Sequence, residues 1–327
     1  MRPAYDLPLT RARHAFQMME LLVGLFILIT LTSLAFPAMQ AARQRARDAS
    51  CTNNLKQIGI AIHNYHDTFN TLPPGWVART DVPNSDGYFG WSSMILPFVE
   101  QPALYDSLFE SMGKCKLPVL EKGKSYDANV DQGRVQSDLS VYRCPLDRMT
   151  PINTARGFYG TSNYSGNFGS MAVSPLGPAD LTSQWPGTSS ASAASSNGLF
   201  YWNSRVRFRD IIDGLSNTIM LGERGVQNGS GIWVGIRSNS LANDAVSDCA
   251  YGNEYNTTLA SFSSQHQGGM NVLLCDGAVR FMNEGIDSQP DTIANNKRVI
   301  SGVYQKLAAR NDAQVIGAES DLEKPQD

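Results

Sequence analysis

Residues Phe16–Phe36, FQMMELLVGLFILITLTSLAF, are the stretch on which the reading of this chain turns. From Leu21 to Met39 no residue carries a charge. A helix of that length crosses the ~30 Å hydrocarbon core of a bilayer. Glu20 sits just inside its N-terminal end, and Arg2, Arg11, Arg13 and His14 form a short basic leader before it. The remainder reads as a water-soluble domain carried on this helix.

On the N-terminal side three readings stand side by side. In the first, the segment is a cleavable secretory signal with Ser33-Leu34-Ala35 as a small-x-small cutting site. Against it, the apolar run exceeds a usual signal core, and Pro37 follows the supposed cut closely. In the second, it is a plain signal anchor. In the third, cleavage falls before the apolar run and the helix stays on the mature protein. Charge does not decide orientation, since Arg2, Arg11 and Arg13 precede the span while Arg43, Arg45 and Arg47 follow it.

On the C-terminal side the helical pattern turns amphipathic. Leu55, Ile58, Gly59, Ile62, Tyr65, His66 and Phe69 recur at three- and four-residue steps and make one apolar stripe. Pro37 is a candidate kink, and Leu72-Pro73-Pro74-Gly75 ends the helix. A helix of about fifty residues would be roughly 75 Å long. His63 and His66 lie on it at a spacing that can hold a metal, but packing or surface placement explains them as well.

Bulk composition bounds the rest. The 327 residues are 42% hydrophobic and only 17% charged, with Gly, Ser, Asn and Thr plentiful, which favours a β-rich, loop-rich domain over a helical bundle. A net charge of −3 gives no basic field for nucleic acid. Cys51, Cys115, Cys144, Cys249 and Cys275 form no CxxC pair, and outside the cytoplasm they allow up to two disulfides with one thiol left over. Their connectivity is open.

Residues 102–112 suggest a short helix, and residues 91–100 a short helix or strand with aromatic anchors. Residues 141–147 read as a strand ending at a Cys-Pro turn, and residues 162–167 as turn chemistry. Residues 182–198 are a Ser/Ala/Gly-rich, exposed loop. Strands are expected at residues 219–222 and 231–236, and a short helix at 303–310. Asp276-Gly277 between the apolar runs 271–275 and 278–282 signals a two-residue hairpin with φ > 0 at both central residues.

Two strings then carry a resemblance. His14-Ala15-Phe16-Gln17-Met18-Met19-Glu20-Leu21-Leu22 resembles the type IV prepilin pattern, departing from it at Ala15, usually Gly, and Gln17, usually Thr. The second runs from Cys51-Thr52-Asn53-Asn54-Leu55-Lys56-Gln57 through His63-Asn64-Tyr65-His66-Asp67 to Pro73-Pro74-Gly75, and is joined by a His-x9-Asp-Gly motif at His266, Asp276 and Gly277. Together they resemble a bacterial pseudopilin-like family of unknown function, domain of unknown function 1559. The N-terminal part is also similar to pseudopilin G of type II secretion.

The resemblance implies an α+β, pilin-like fold: a long N-terminal helix packed on a mainly antiparallel β head with long loops. It implies a leader over residues 1–15, the helix over 16–72, an extracytoplasmic head over 73–318 and a flexible tail over 319–327. A prepilin peptidase would cut between Ala15 and Phe16 and the new Phe16 amine would be methylated. Glu20 would pair with the N-terminal amine of a neighbouring pilin-like subunit, a copy of itself or another. A carboxylate at the edge of a membrane helix is costly, and such an amine would supply its counter-charge. The implied location is the inner membrane, single-pass, with the C-terminal domain outside the cytoplasm.

No nucleophile-elbow, zincin, P-loop or dinucleotide fingerprint appears, so no enzyme activity, cofactor or small-molecule substrate is expected. His266 and Asp276 can be read as a catalytic pair or metal ligands, but Asp276 and Asp213 are already explained by their turns. Asp213, Asn217 and Glu223 are a calcium alternative. The preferred function is a structural subunit of a type II secretion or type IV pilus-like assembly. Its rivals are a secreted binding protein or enzyme freed after Ala35, and a tethered envelope protein that does not polymerise.

Overall fold

The structure is a computed structural model that describes residues 18–77, 87–112, 116–117, 132–170, 196–237, 243–249, 261–289, 292–294 and 297–313. Ala15, Phe16, the leader, residues 182–195 of the low-complexity segment and the tail lie outside them. The chain divides into two compact units, Met1–Ala46 and Arg47–Asp327.

Helix α1 runs Met18–Phe69 with Pro37 inside it. It contains a window of mean hydropathy 2.3, none of it buried, and is long and apolar enough to cross a membrane. Leu22, Phe26, Ile29 and Leu34 are all exposed. The few hydroxyls in this stretch turn back on the helix: Thr30 donates to the Ile27 carbonyl at 2.8 Å, Thr32 to Leu28 at 2.9 Å and Ser33 to Thr30 at 2.9 Å. Self-satisfied hydroxyls are what an apolar solvent requires. From Cys51 to Ile62 the helix buries one face, with Leu55, Ile58, Gly59, Ala61 and Ile62 inaccessible. Beyond Ile62 the stripe thins, with Tyr65 half-buried against the core and Phe69 exposed. The helix ends at Asn70, whose positive φ of 55° places it in the left-handed region a C-terminal cap favours.

The strands are β1 (Gly87–Phe89), β2 (Lys116–Leu117), β3 (Ile152–Asn153), β4 (Tyr159–Ser162), β5 (Tyr164–Gly169), β6 (Ile219–Glu223), β7 (Gly231–Ile232), β8 (Gly235–Ile236), β9 (Val246–Asp248), β10 (Gly269–Leu274), β11 (Val279–Asn283), β12 (Thr292–Ala294) and β13 (Lys297–Val299). Short helices are α2 (Trp91–Met94), α3 (Pro102–Met112), α4 (Gln132–Val135) and α5 (Val303–Ala308). The main sheet has the order β11-β10-β6-β5-β9, antiparallel except for the parallel pair β5 and β9. Two three-stranded sheets, β2-β1-β8 and β3-β4-β7, and the β12-β13 hairpin complete the head.

Alternation along β10 splits the core in two. Leu273 joins Leu55, Ile58 and Ile62 on the α1 side. Met270, Val272 and Leu274 join Tyr304, Leu307 and Ala308 of α5 on the other. This is the expected α+β arrangement, a long helix on a largely antiparallel sheet, with α5 closing the opposite face.

Several local expectations are corrected. Residues 162–167 are not turn chemistry. Ser162 ends β4 and residues 164–167 lie in β5, with only Asn163 as the bend between them, because small residues fit a strand buried on both faces where bulk would not: a Cβ on Gly166 would meet Phe200 at 2.8 Å. Residues 141–147 are no strand, since a 3-10 turn occupies Ser140–Tyr142. Residues 231–236 form two strands in different sheets, separated by a bend at Trp233 and Val234, after which Gly235 opens β8 with φ 147°. At the Asp276-Gly277 hairpin only Gly277 has positive φ, at 87°. Asp276 instead accepts the Ala278 N–H at 2.8 Å, and the Leu274 carbonyl accepts the Gly277 N–H at 3.0 Å, so the loop is longer than two residues. Ser196 and Gly198, at the end of the supposed exposed loop, are buried, with Ser196 donating to the Phe168 carbonyl at 2.9 Å.

Asn167, fully buried on β5, donates to the Ile219 carbonyl at 2.7 Å and the Ala308 carbonyl at 2.8 Å, while its side-chain oxygen accepts the Gly169 N–H at 2.8 Å. Asn167→Leu strands these groups, each worth about 1–3 kcal/mol. Urea unfolding of the detergent-solubilised chain is expected to show a loss of at least about 2 kcal/mol. Asp244, also buried, faces Arg156 and binds Arg237 Nε at 2.8 Å. Burial alone would raise its pKa, but Arg156 and Arg237 overcome this and hold it below the ordinary carboxylate value. Its contribution to stability is therefore present above that ordinary value and is lost as pH falls through the depressed one. Asp244→Asn should flatten the acid limb of a stability–pH curve below the ordinary carboxylate range; an unchanged limb would refute the assignment.

Candidate functional site

The site lies where the buried half of α1 meets the end of the main sheet. Asp48, Cys51, Asn54 and Leu55 are three or four residues apart and share one helix face. β6 brings Glu223, β10 brings Asn271, and the turn before β10 brings Ser264 and His266. The loop at 140–147 brings Cys144.

Cys51 and Cys144 form a disulfide, with Cα atoms 5.1 Å apart and 93 positions between them in sequence. In the chain-entropy account a loop of that size contributes about 4–5 kcal/mol. The Cys144 loop is also held without covalent bonds. Asn54 donates to the Ser140 carbonyl at 3.1 Å and to Arg143 at 2.7 Å, and Asn163 accepts the Cys144 N–H at 2.9 Å.

His266 lies beside the disulfide. Its Nδ1 is 3.0 Å from Asp48 Oδ1 and its Nε2 is 3.0 Å from Glu223 Oε1. The Cys144 sulfur lies 3.8 Å from Nε2. Burial by itself would lower the histidine pKa, but the hydrogen bond and charge of Glu223, with those of Asp48, outweigh it and leave the pKa raised. Glu223 is fixed in turn: Oε2 accepts from Ser264 Oγ at 2.7 Å and the Asn271 N–H at 3.1 Å, and Oε1 accepts from the Asn271 side chain at 3.1 Å. Glu223 and His266 are both buried, whereas the Asp48 side chain is 40% exposed. A cavity of about 400 Å³, lined by Ser50, Asn54, Arg143, Cys144 and Asp147 among others, opens beside the disulfide.

The sequence-derived candidates are distributed differently from their motif. His266 is paired with Glu223 and Asp48, while Asp276 and Gly277 form the hairpin turn. Asp213 accepts the N–H groups of Asp312 and Ala313 at 2.8 and 2.7 Å, and the Asn217 side chain donates to the Asp213 carbonyl at 3.4 Å. Glu223 is thus engaged with His266 and Asn271 rather than with those two. Glu20 falls in the exposed apolar part of α1. His63 and His66 both stack on Phe208, at 4.7 and 4.1 Å between ring centroids. The reading of the sequence missed Asp48, Asn271 and Ser264 and the Cys51–Cys144 pairing. The three-residue step from Asp48 to Cys51 was a visible signal that both face the same neighbour.

A family model described as "Protein of unknown function (DUF1559)" matches residues 40–289. That span contains every residue of this cluster and begins after the apolar half of α1. No curated protein and no solved structure matches the chain.

Removing one partner of a buried ion pair costs about 3–5 kcal/mol, because the other charge stays buried. Glu223→Ala should lower unfolding stability by that order in denaturant melts of the oxidised chain. A loss under about 1 kcal/mol would show that the pair carries no such weight.

Proposed function

The chain belongs to this family of unknown function, and from that membership we propose that it is a membrane-anchored, pseudopilin-like structural subunit of a type II secretion or type IV pilus-like assembly at the cell envelope. The observation that carries the reading is α1 itself. One uninterrupted helix, Met18–Phe69, has an exposed apolar stretch without charge from Leu21 to Met39, and then a stripe buried in the head from Cys51 to Ile62. A secretory signal made only to be removed has no need to continue as a core element of the folded domain.

In this reading a prepilin peptidase cuts before Phe16, and the helix remains in the inner membrane with the head outside the cytoplasm. Assembly then exchanges lipid for the helices of sister subunits, a trade that van der Waals packing drives in an apolar medium. Glu20 sets the register by meeting the terminal amine of a neighbour, since a carboxylate in that medium is stabilised by an opposite charge. The protein's task is structural, with no catalytic step and no cofactor. The disulfide supports an oxidising compartment for the head.

Mass spectrometry of the membrane-extracted protein tests this reading. The expected mature N-terminus is a methylated Phe16, and Glu20→Ala is expected to abolish cross-links between neighbouring α1 helices while leaving the monomer in the membrane. A mature chain beginning at Phe36 would overturn the proposal in favour of a secreted protein.

A further inference from the structure

The sulfurs of Cys51 and Cys144, His266 and Glu223 offer four ligand atoms, all within 4.8 Å of one another and all on buried residues. With the disulfide intact the two sulfurs are committed to each other. We propose that reduction of this disulfide converts the cluster into a tetrahedral Zn²⁺ site, ligated by the Cys51 and Cys144 thiolates, His266 Nε2 and Glu223. The inference is independent of the assembly role.

The geometry points to zinc for three reasons. Two thiolates, an imidazole and a carboxylate are the donor set zinc accepts, with metal–ligand distances of about 2.0–2.3 Å. Tetrahedral ligands at those distances stand roughly 3.3–3.8 Å apart. The Cys144 sulfur is already 3.8 Å from His266 Nε2, and Glu223 Oε1 is 3.0 Å from it. The surroundings are also those of a ligand shell. Asp48 meets the far nitrogen of His266 at 3.0 Å, the carboxylate–histidine arrangement that fixes the ring and strengthens the near nitrogen as a donor. Ser264 and the Asn271 N–H hold the second oxygen of Glu223, while Oε1 lies beside His266 Nε2; the Asn271 side-chain amide, 3.1 Å from both Oε1 and Nε2, is the contact that zinc would displace. Finally, Cys144 lines the open cavity beside the site, which places the disulfide next to solvent-accessible space.

The chemistry balances. A dithiol reductant attacks the disulfide, the Cys51–Cys144 bond breaks, the reductant leaves as its own disulfide, and its two protons pass to the cysteine sulfurs. Zinc then displaces both thiol protons and any proton on His266 Nε2, which leave to solvent. A small-molecule disulfide reverses the exchange: its S–S bond breaks, it takes the two electrons of the cysteine sulfurs and two protons from solvent to leave as thiols, the Cys51–Cys144 bond re-forms, and the metal is expelled because a disulfide sulfur is no thiolate ligand.

The test uses the full-length chain in detergent, dialysed against Zn²⁺ alone, before and after treatment with a phosphine reductant. One zinc per chain is expected after reduction and none before, with release on reoxidation. Co²⁺ in place of Zn²⁺ should give the thiolate charge-transfer band and strong visible bands of a tetrahedral site. His266→Ala should abolish stoichiometric binding. Asp48→Asn keeps all four ligands and should weaken affinity by about 10- to 100-fold, which covers the case in which a ligand variant fails to fold. Zinc bound by the oxidised chain, no zinc bound by the reduced chain, or binding unaffected by both substitutions would overturn the proposal.

Discussion

The head is organised by the close seating of α1 on the main sheet. Gly59 marks a close approach: a Cβ there would stand 3.0 Å from Leu273 of β10. With no side chain at that position, Leu55, Ile58 and Ile62 can interdigitate with the α1-facing side of the sheet and exclude water along the whole contact. The seating also fixes the register of the helix against the strands. One turn of slippage along α1 is about 5.4 Å, enough to separate Asp48 from His266 and Cys51 from Cys144. Packing in the core therefore sets the geometry of the polar cluster at its edge.

A second constraint is the amount of polarity the head buries. Asn153, Arg156, Asn163, Asn167, Glu223, Arg224 and Asp244 are all enclosed. Each is tied to backbone or to an opposite charge. Asn163 serves the Cys144 loop and the Arg224 carbonyl together, while Arg156 reaches the Gly229, Asn243 and Asn228 carbonyls as well as Asp244. Irregular chain can be buried only if its carbonyls find donors. Where strands are as short as β3, β7 and β8, side-chain amides and guanidinium groups supply what a longer ladder would have supplied.

These two constraints explain what could be read from the sequence. The long helix and its stripe of Leu55, Ile58, Gly59, Ile62, Tyr65, His66 and Phe69 were legible as hydrophobic period, the strands around 219–222 and 271–282 as apolar runs, the latter pair flanking an Asp-Gly turn, while the α+β class was what the resemblance implied. Strands β4 and β5 were hidden because Tyr159–Gly169 is rich in Gly, Ser and Asn, residues that signal turns when their partners are unknown. Here their small size and inward hydrogen bonds suit a sheet covered on both faces. The candidate site was half legible. His266 stood out through its motif, but the motif's Asp276 is a turn residue. The true partners, Glu223 and Asp48, are 43 and 218 positions away from it and meet it only through the fold.

The cluster gains meaning from its place on α1. In the assembly reading, leaving the membrane loads the helix along its axis, and residues from Asp48 to Ile62 must pass that load to the head. The interlocked packing around Gly59 resists sliding by shape alone, with no single strong tie at its end. The Cys51–Cys144 bond and the Asp48–His266–Glu223 chain are directional, and they sit at the start of the buried stripe, where sliding would begin. A covalent tie backed by two charge pairs gives that end of the stripe a fixed stop. Anything that opens the disulfide then acts on how firmly the helix is gripped, which ties the redox state of two cysteines to the seating of α1 on the sheet.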